Sequence, residues 1–207
     1  MDLVLNDLGK LYVRNWIFKD LNYNIESGSS WGIRGGNGAG KSTLIHLLLG
    51  LHLPSKGTIA YSKNGNDVAK EEWGKLISFT APYASVPLEF TALEFLNHSQ
   101  KFRSLIDGIS PENVLEYAFL SGETGKKLSE YSTGMLQRLK VALAICTQSE
   151  LLIVDEPTSN LDTKGKNWFN EMLSRFRGNR TLIVASNESS DFEHCNHFID
   201  LNVSSWD

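Results

Sequence analysis

The sequence predicts an α/β domain with a parallel core sheet, an antiparallel β edge at its N-terminal side and a helical lobe inserted near its middle. Three observations predict it. The first is Gly35-Gly36-Asn37-Gly38-Ala39-Gly40-Lys41-Ser42-Thr43, which satisfies G-x-x-x-x-G-K-[ST] between a strand-like run over 31–34 and an apolar helical run over 44–49. The second is two apolar runs, 151–154 and 181–185, of the kind expected for strands buried on both faces. The third is a helix-rich stretch over 82–147 that interrupts the strand–helix alternation.

Taken in order, 2–8 and 17–25 alternate apolar and polar residues, as edge strands do. Tyr12 and Trp16 fall in their connection, as core filler or as a platform for an adenine ring. A strand over 57–61 ends at the polar turn 63–67, and another is expected over 75–80, closed by Ala81-Pro82. Thr91-Ala92-Leu93-Glu94 is a capping box that opens a helix. Ser110-Pro111 opens the next, with Val114, Leu115, Ala118 and Phe119 on one face. The strongest amphipathic helix is expected over 133–147, with Leu136, Leu139, Leu143 and Cys146 in one stripe. A helix over 164–177 and a last strand over 198–201 complete the chain.

The chemistry follows from the glycine-rich loop. Glycines let successive backbone N–H groups point inward at phosphate oxygens, and the helix behind the loop adds its positive end. Lys41 would reach the β- and γ-phosphates, and the Ser42 hydroxyl would ligate Mg²⁺. Asp155 ends a buried strand and would hold the same ion, directly or through water. Glu156 points to the other side of the strand tip, where it would polarise an attacking water.

Composition narrows the class. With 207 residues, 41% hydrophobic and 21% charged, the chain can bury a core as one domain. A net charge of -4 gives no electrostatic footprint for nucleic acid. No basic-then-apolar leader is visible in the first ten residues, and the longest apolar stretch is far short of the ~20 residues of a membrane span. Two isolated cysteines, Cys146 and Cys195, fit a reducing cytosol.

The order of these motifs resembles the ATP-binding subunits of ABC transporters over nearly the whole chain. Residues 35–43 resemble their Walker A loop, 151–156 their Walker B strand with its catalytic glutamate, and Ser159-Asn160-Leu161-Asp162 their D-loop. Tyr131-Ser132-Thr133-Gly134-Met135 is similar to the signature Leu-Ser-Gly-Gly-Gln, keeping Ser132 and Gly134. Tyr12 is spaced like the family's adenine-stacking aromatic, with Trp16 in reserve.

The resemblance implies a P-loop NTPase of the ABC type, with 1–81 and 148–207 as catalytic core and 82–147 as the lobe that carries the signature. It implies ATP and Mg²⁺ as cofactors and a head-to-tail homodimer in which Ser132, Thr133, Gly134 and Met135 close over the partner copy's nucleotide. It further implies hydrolysis coupled to an integral membrane subunit of exporter type, contacted near 82–95, and a place on the inner face of the cell membrane through that partner. Two departures bear on turnover. Pro82 stands where the family has a glutamine, and Asn187 where it has a histidine, with His194 and His197 as distant substitutes. Hydrolysis is therefore expected to be slow, and a low-turnover ATP-gated dimerising module is the rival reading. A soluble ABC ATPase without a membrane partner is a second rival.

Overall fold

In a computed structural model, which describes residues 1–201, the chain opens with strands β1 (Asp2–Tyr12) and β2 (Asn15–Ile25), paired antiparallel around Val13 and Arg14. Tyr12 and Trp16 thus lie at the strand ends rather than in a longer connection. β1 buries Leu3, Leu5 and Leu8, the pattern of a sheet with one solvated face. Strand β3 (Ser30–Arg34) leads through the glycine-rich loop into helix α1 (Lys41–Leu48). Strand β4 (Lys56–Lys63) returns to pair with β1 and turns at Asn64-Gly65, both with positive φ, into β5 (Asn66–Asp67). The antiparallel sheet runs β2-β1-β4-β5.

The strand expected over 75–80 is half helix. Helix α2 (Lys70–Leu76) comes first, and strand β6 (Ile77–Thr80) is only four residues long. Glu71 and Glu72 sit at the positive end of α2 and Lys75 at its negative end, while Trp73 anchors its buried side. Helix α3 (Ala92–Gln100) starts at the expected capping box, Thr91 with Glu94. Helix α4 (Pro111–Tyr117) buries Val114 and Leu115, and Ala118 is buried just beyond it, but Phe119 is 66% exposed. The helix has ended by then: Phe119 takes φ 58, which swings its ring outward and leaves the buried position to Leu120.

Helix α5 (Thr133–Cys146) is not the most one-sided helix. It packs against α4, β6 and strand β7 (Leu151–Asp155), so Gln137, Leu139, Val141, Ala142, Ala144, Ile145 and Cys146 are all buried. Leu136 and Leu143 from the expected stripe are only half-buried. Helix α6 (Thr163–Phe176), also packed on α5, has the clearer division into buried and exposed faces. Strands β8 (Thr181–Ala185) and β9 (His197–Asp200) complete a parallel sheet ordered β6-β7-β8-β3-β9.

Every residue of β7 and β8 is buried, and alternation divides them between two cores. Leu152, Val154, Leu182 and Val184 join the core of the helical lobe and α6. Leu151, Ile153, Ile183 and Ala185 face α1 and the N-terminal sheet. Residues 202–207, assigned above to the catalytic core, lie outside the described residues. Parallel pairing brings the carboxyl ends of β3, β7 and β8 to one edge, with Asp155 beside Ala185 and Ala185 beside Ile33. In open α/β sheets that edge is where ligands bind.

Candidate functional site

The glycine-rich loop leaves β3 and enters α1 at Gly40, whose φ of 100 places it in the left-handed region. A Cβ there would also collide with the Ile17 side chain, so the sharp entry to α1 requires glycine on both counts. Gly38, two residues earlier, has φ 80 and favours glycine on that count alone. No side chain caps the first turn of α1, and the turn holds no acidic residue. Its N–H groups and the helix dipole are therefore oriented toward an anion rather than consumed by the protein.

Lys41 is only 7% exposed, and its ammonium is held from several sides. Nζ donates to the Gly35 carbonyl at 2.9 Å, to the Gly36 carbonyl at 3.4 Å and to Asn187 Oδ1 at 2.6 Å. Glu156 Oε1 lies 3.4 Å away. A desolvated cation surrounded by acceptors is a ready partner for phosphate oxygens.

Asp155 and Glu156 leave the tip of β7 in different directions. Ser42 Oγ donates to Asp155 Oδ2 at 2.7 Å, and the Tyr83 hydroxyl donates to the same oxygen at 3.1 Å. The other oxygen, Oδ1, is buried and has no hydrogen-bond partner. Burial raises the pKa of Asp155 above the ordinary value, opposed mainly by the bonds from Ser42 and Tyr83. A buried carboxylate oxygen without a partner, beside a hydroxyl and a lysine, fits a hard divalent cation such as Mg²⁺. Glu156 has φ 44, a strained backbone for a non-glycine residue, and its N–H is held by the Ala185 carbonyl at 2.7 Å. That turn carries its carboxylate to Lys41 and to the Asn187 N–H, 3.3 Å from Oε2.

Burial of the Asp155 charge makes a prediction. In EDTA at pH 7, Asp155→Asn should melt at a higher temperature than the parent. Because the folded pKa is raised, the parent regains stability as pH falls toward the ordinary carboxylate value, so the gap should narrow between pH 7 and 4. Thermal melts across that range test it. A lower melting temperature for the variant at pH 7 would mean that the two hydroxyl bonds outweigh burial.

Asn187 lies at the centre of the site. Besides accepting from Lys41, it donates through Nδ2 to Asn37 Oδ1 at 2.6 Å, bridging β8 and the glycine-rich loop. A buried network holds its loop: Ser186 and Thr158 each donate to Asp191 at 2.7 Å, and the Glu188 N–H donates to Ser186 Oγ. His194 and His197 are engaged elsewhere. His194 faces the Asn170 carbonyl at 3.0 Å, and His197 stacks on Trp31 with ring centres 4.9 Å apart.

Ser132 caps α5, its Oγ accepting from the Met135 N–H. It shares a cleft with Gly134, Met135, Asn160, Leu161 and Asp162, so the signature and D-loop residues meet. Ser159 accepts from the Asn160 amide, and Asp162 caps α6. The cleft lining includes no residue of the glycine-rich loop. Gln137 is buried one turn into α5 and donates to the carbonyls of Glu156 and Pro157, tying α5 to the tip of β7. Tyr12 is 42% exposed with its hydroxyl 3.3 Å from His52 Nδ1, whereas Trp16 is packed over Gly9.

Pro82 contributes no side-chain donor, as expected from its chemistry; its carbonyl accepts from Lys140 Nζ. The polar group in this part of the site belongs to the next residue, Tyr83. Sequence spacing missed it because no motif marks an aromatic there, and only the fold of the 81–84 turn brings its hydroxyl to Asp155.

The chain matches the model of the ABC transporter family over residues 18–159. It is 34% identical over 194 residues to the bacitracin transport ATP-binding protein BcrA of Bacillus licheniformis, covering 90% of this chain. The chain spans 62% of that relative's length. It is 28% identical to the lantibiotic transport ATP-binding protein SrtF of Streptococcus pyogenes, covering 95% of this chain and 85% of that protein. In fold it superposes on a dimeric ATP-binding cassette, MJ0796, solved with ADP and Pi, at a TM-score of 0.82 and 22% identity over 98% of this chain and 97% of that one. With the family's model matched across more than half of its residues, the chain belongs to the ABC transporter family.

Proposed function

We propose that this chain binds and hydrolyses Mg·ATP to drive export through a separate membrane subunit. The observation that carries the reading is the cluster of Lys41, Ser42, Asp155, Glu156 and Asn187 at the carboxyl edge of the parallel sheet. The names of relatives active in bacitracin and lantibiotic transport support the transport half of it.

In this reading Lys41 and the N–H groups of 35–43 bind the phosphates, and Tyr12 stacks on the base. Ser42 and Asp155 hold Mg²⁺, which when bound neutralises charge on the phosphate oxygens. Glu156 orients water and accepts its proton. Asn187 holds Lys41 from one side and the glycine-rich loop from the other, so it fixes the cation that faces the γ-phosphate.

Ser132, Thr133, Gly134 and Met135, with Ser159 to Asp162 beside them, complete the site of a second copy in a head-to-tail dimer. Their separation from the chain's own phosphate loop supports this. The groove between β6 and the lobe, lined by Phe79, Ala84, Val86, Phe95, Phe102 and Leu143, suits an apolar segment of the membrane subunit. We divide the chain accordingly into a core, 1–81 and 148–207, and a lobe, 82–147. The site of action is the inner face of the membrane. No helix among the described residues is long and apolar enough to cross it.

The test is Asn187. Asn187→Ala should lower kcat about ten- to a hundredfold, the worth of one hydrogen bond to a charged group. An amide does not titrate, so the parent's kcat should show no component from this position between about pH 6 and 8. Asn187→His should restore or raise turnover. An Ala variant that hydrolyses ATP like the parent would remove Asn187 from the mechanism.

The rival reading, a dimerising module with little turnover, is favoured by the same Lys41–Asn187 bond, because no titratable group stands there. Single-turnover hydrolysis separates the two: a burst of product supports the enzyme, and ATP retained intact supports the module.

A further inference from the structure

We propose that Tyr83 is a positioning residue for the metal-binding carboxylate, supplying through its hydroxyl the polar contact that Pro82 cannot make; this rests on the Mg·ATP reading above. Tyr83 donates to Asp155 Oδ2, the same oxygen that accepts from Ser42. Two donors on Oδ2 leave Oδ1 as the oxygen without a partner, and it is buried. Tyr83, together with Ser42, therefore sets which carboxylate oxygen is presented to the ion.

The hydroxyl is itself held. A phenol has one proton, and Tyr83 gives it to Asp155, so its oxygen must accept from His46 Nε2, 3.2 Å away. His46 then carries its proton on Nε2. Its ring lies edge-on to both Tyr83 and His52, and His52 Nδ1 faces the Tyr12 hydroxyl at 3.3 Å. Asp155, Tyr83, His46, His52 and Tyr12 thus form a continuous line from the metal site to the residue proposed to stack on the base.

The backbone under Tyr83 is fixed from within the helical lobe. Lys140, on the signature helix α5, donates to the carbonyls of Ala81, Pro82 and Ala84. A movement of α5 would carry the 81–84 turn with it and shift the Tyr83 hydroxyl relative to Asp155. Simple packing does not account for this arrangement, since Tyr83 is 52% exposed and points its polar end inward.

The test is calorimetric titration of a non-hydrolysable ATP analogue into the parent and Tyr83→Phe, once with saturating Mg²⁺ and once in EDTA. Affinity in EDTA should be the same for both proteins. The strengthening brought by Mg²⁺ should be about tenfold smaller in the variant, the lower end for a hydrogen bond to a charged group. An unchanged Mg²⁺ effect overturns the proposal, and so does an equal loss with and without Mg²⁺, which would mark Tyr83 as packing. If the parent itself shows no Mg²⁺-dependent binding, the nucleotide reading fails and takes this proposal with it. A parent with normal Mg²⁺ dependence isolates the failure to Tyr83.

Discussion

Glu156→Gln is expected to lower kcat by about 10²- to 10⁴-fold, the usual contribution of a positioned general base. The substitution removes the proton acceptor but preserves the shape of the side chain. Its surroundings tolerate an amide: Glu156 is half-buried, and the backbone turn at φ 44 is held by the bond to Ala185 rather than by the carboxylate. Binding of Mg·ATP should therefore persist, and the trapped nucleotide should hold two copies together. Light scattering should give a dimer with ATP and a monomer without it. Turnover within about threefold of the parent would exclude Glu156 as the base. A monomer under both conditions would sink the head-to-tail closure argued from the Ser132 cleft.

Lys41→Ala should weaken ATP binding by at least tenfold, about 1.4 kcal/mol, and by up to about 10³-fold if both the β- and γ-phosphates are contacted. Two effects add. The variant loses the cation that the phosphates would meet, and it leaves Glu156 facing the incoming negative charge without its partner at 3.4 Å. The second effect distinguishes this position from an exposed lysine, where screening would reduce the loss. Calorimetry with ATP and Mg²⁺ measures it, and an unchanged affinity would remove the phosphate site from 35–43.

The α/β class, the glycine-rich loop and the two buried central strands were legible in the residues themselves, because each has a local cause. Gly38 and Gly40 are required by positive φ, and uninterrupted apolar runs suit only strands covered on both faces. The capping box at Thr91 and the proline start of α4 at Pro111 are equally local, since each is set within a few consecutive residues. Helix α2 was not legible: over 70–76 its single buried anchor, Trp73, gives no period to read, and the apolar residues of β6 follow without a break. Phe119 was misplaced because an apolar residue in helical register looks buried until the helix stops one turn early.

The sequence by itself determined the phosphate-loop motif, since the loop's curl, its lysine and the helix behind it are consecutive in the chain. Only the tertiary structure added Tyr83 to the site and decided which atoms Asn187, placed there by resemblance, would meet. Asn187 meets Lys41 across 146 positions and Tyr83 meets Asp155 across 72, distances over which no spacing rule operates. Those meetings are set by parallel strand order, β6 beside β7 beside β8 beside β3, which lines up strand ends far apart in sequence along one edge.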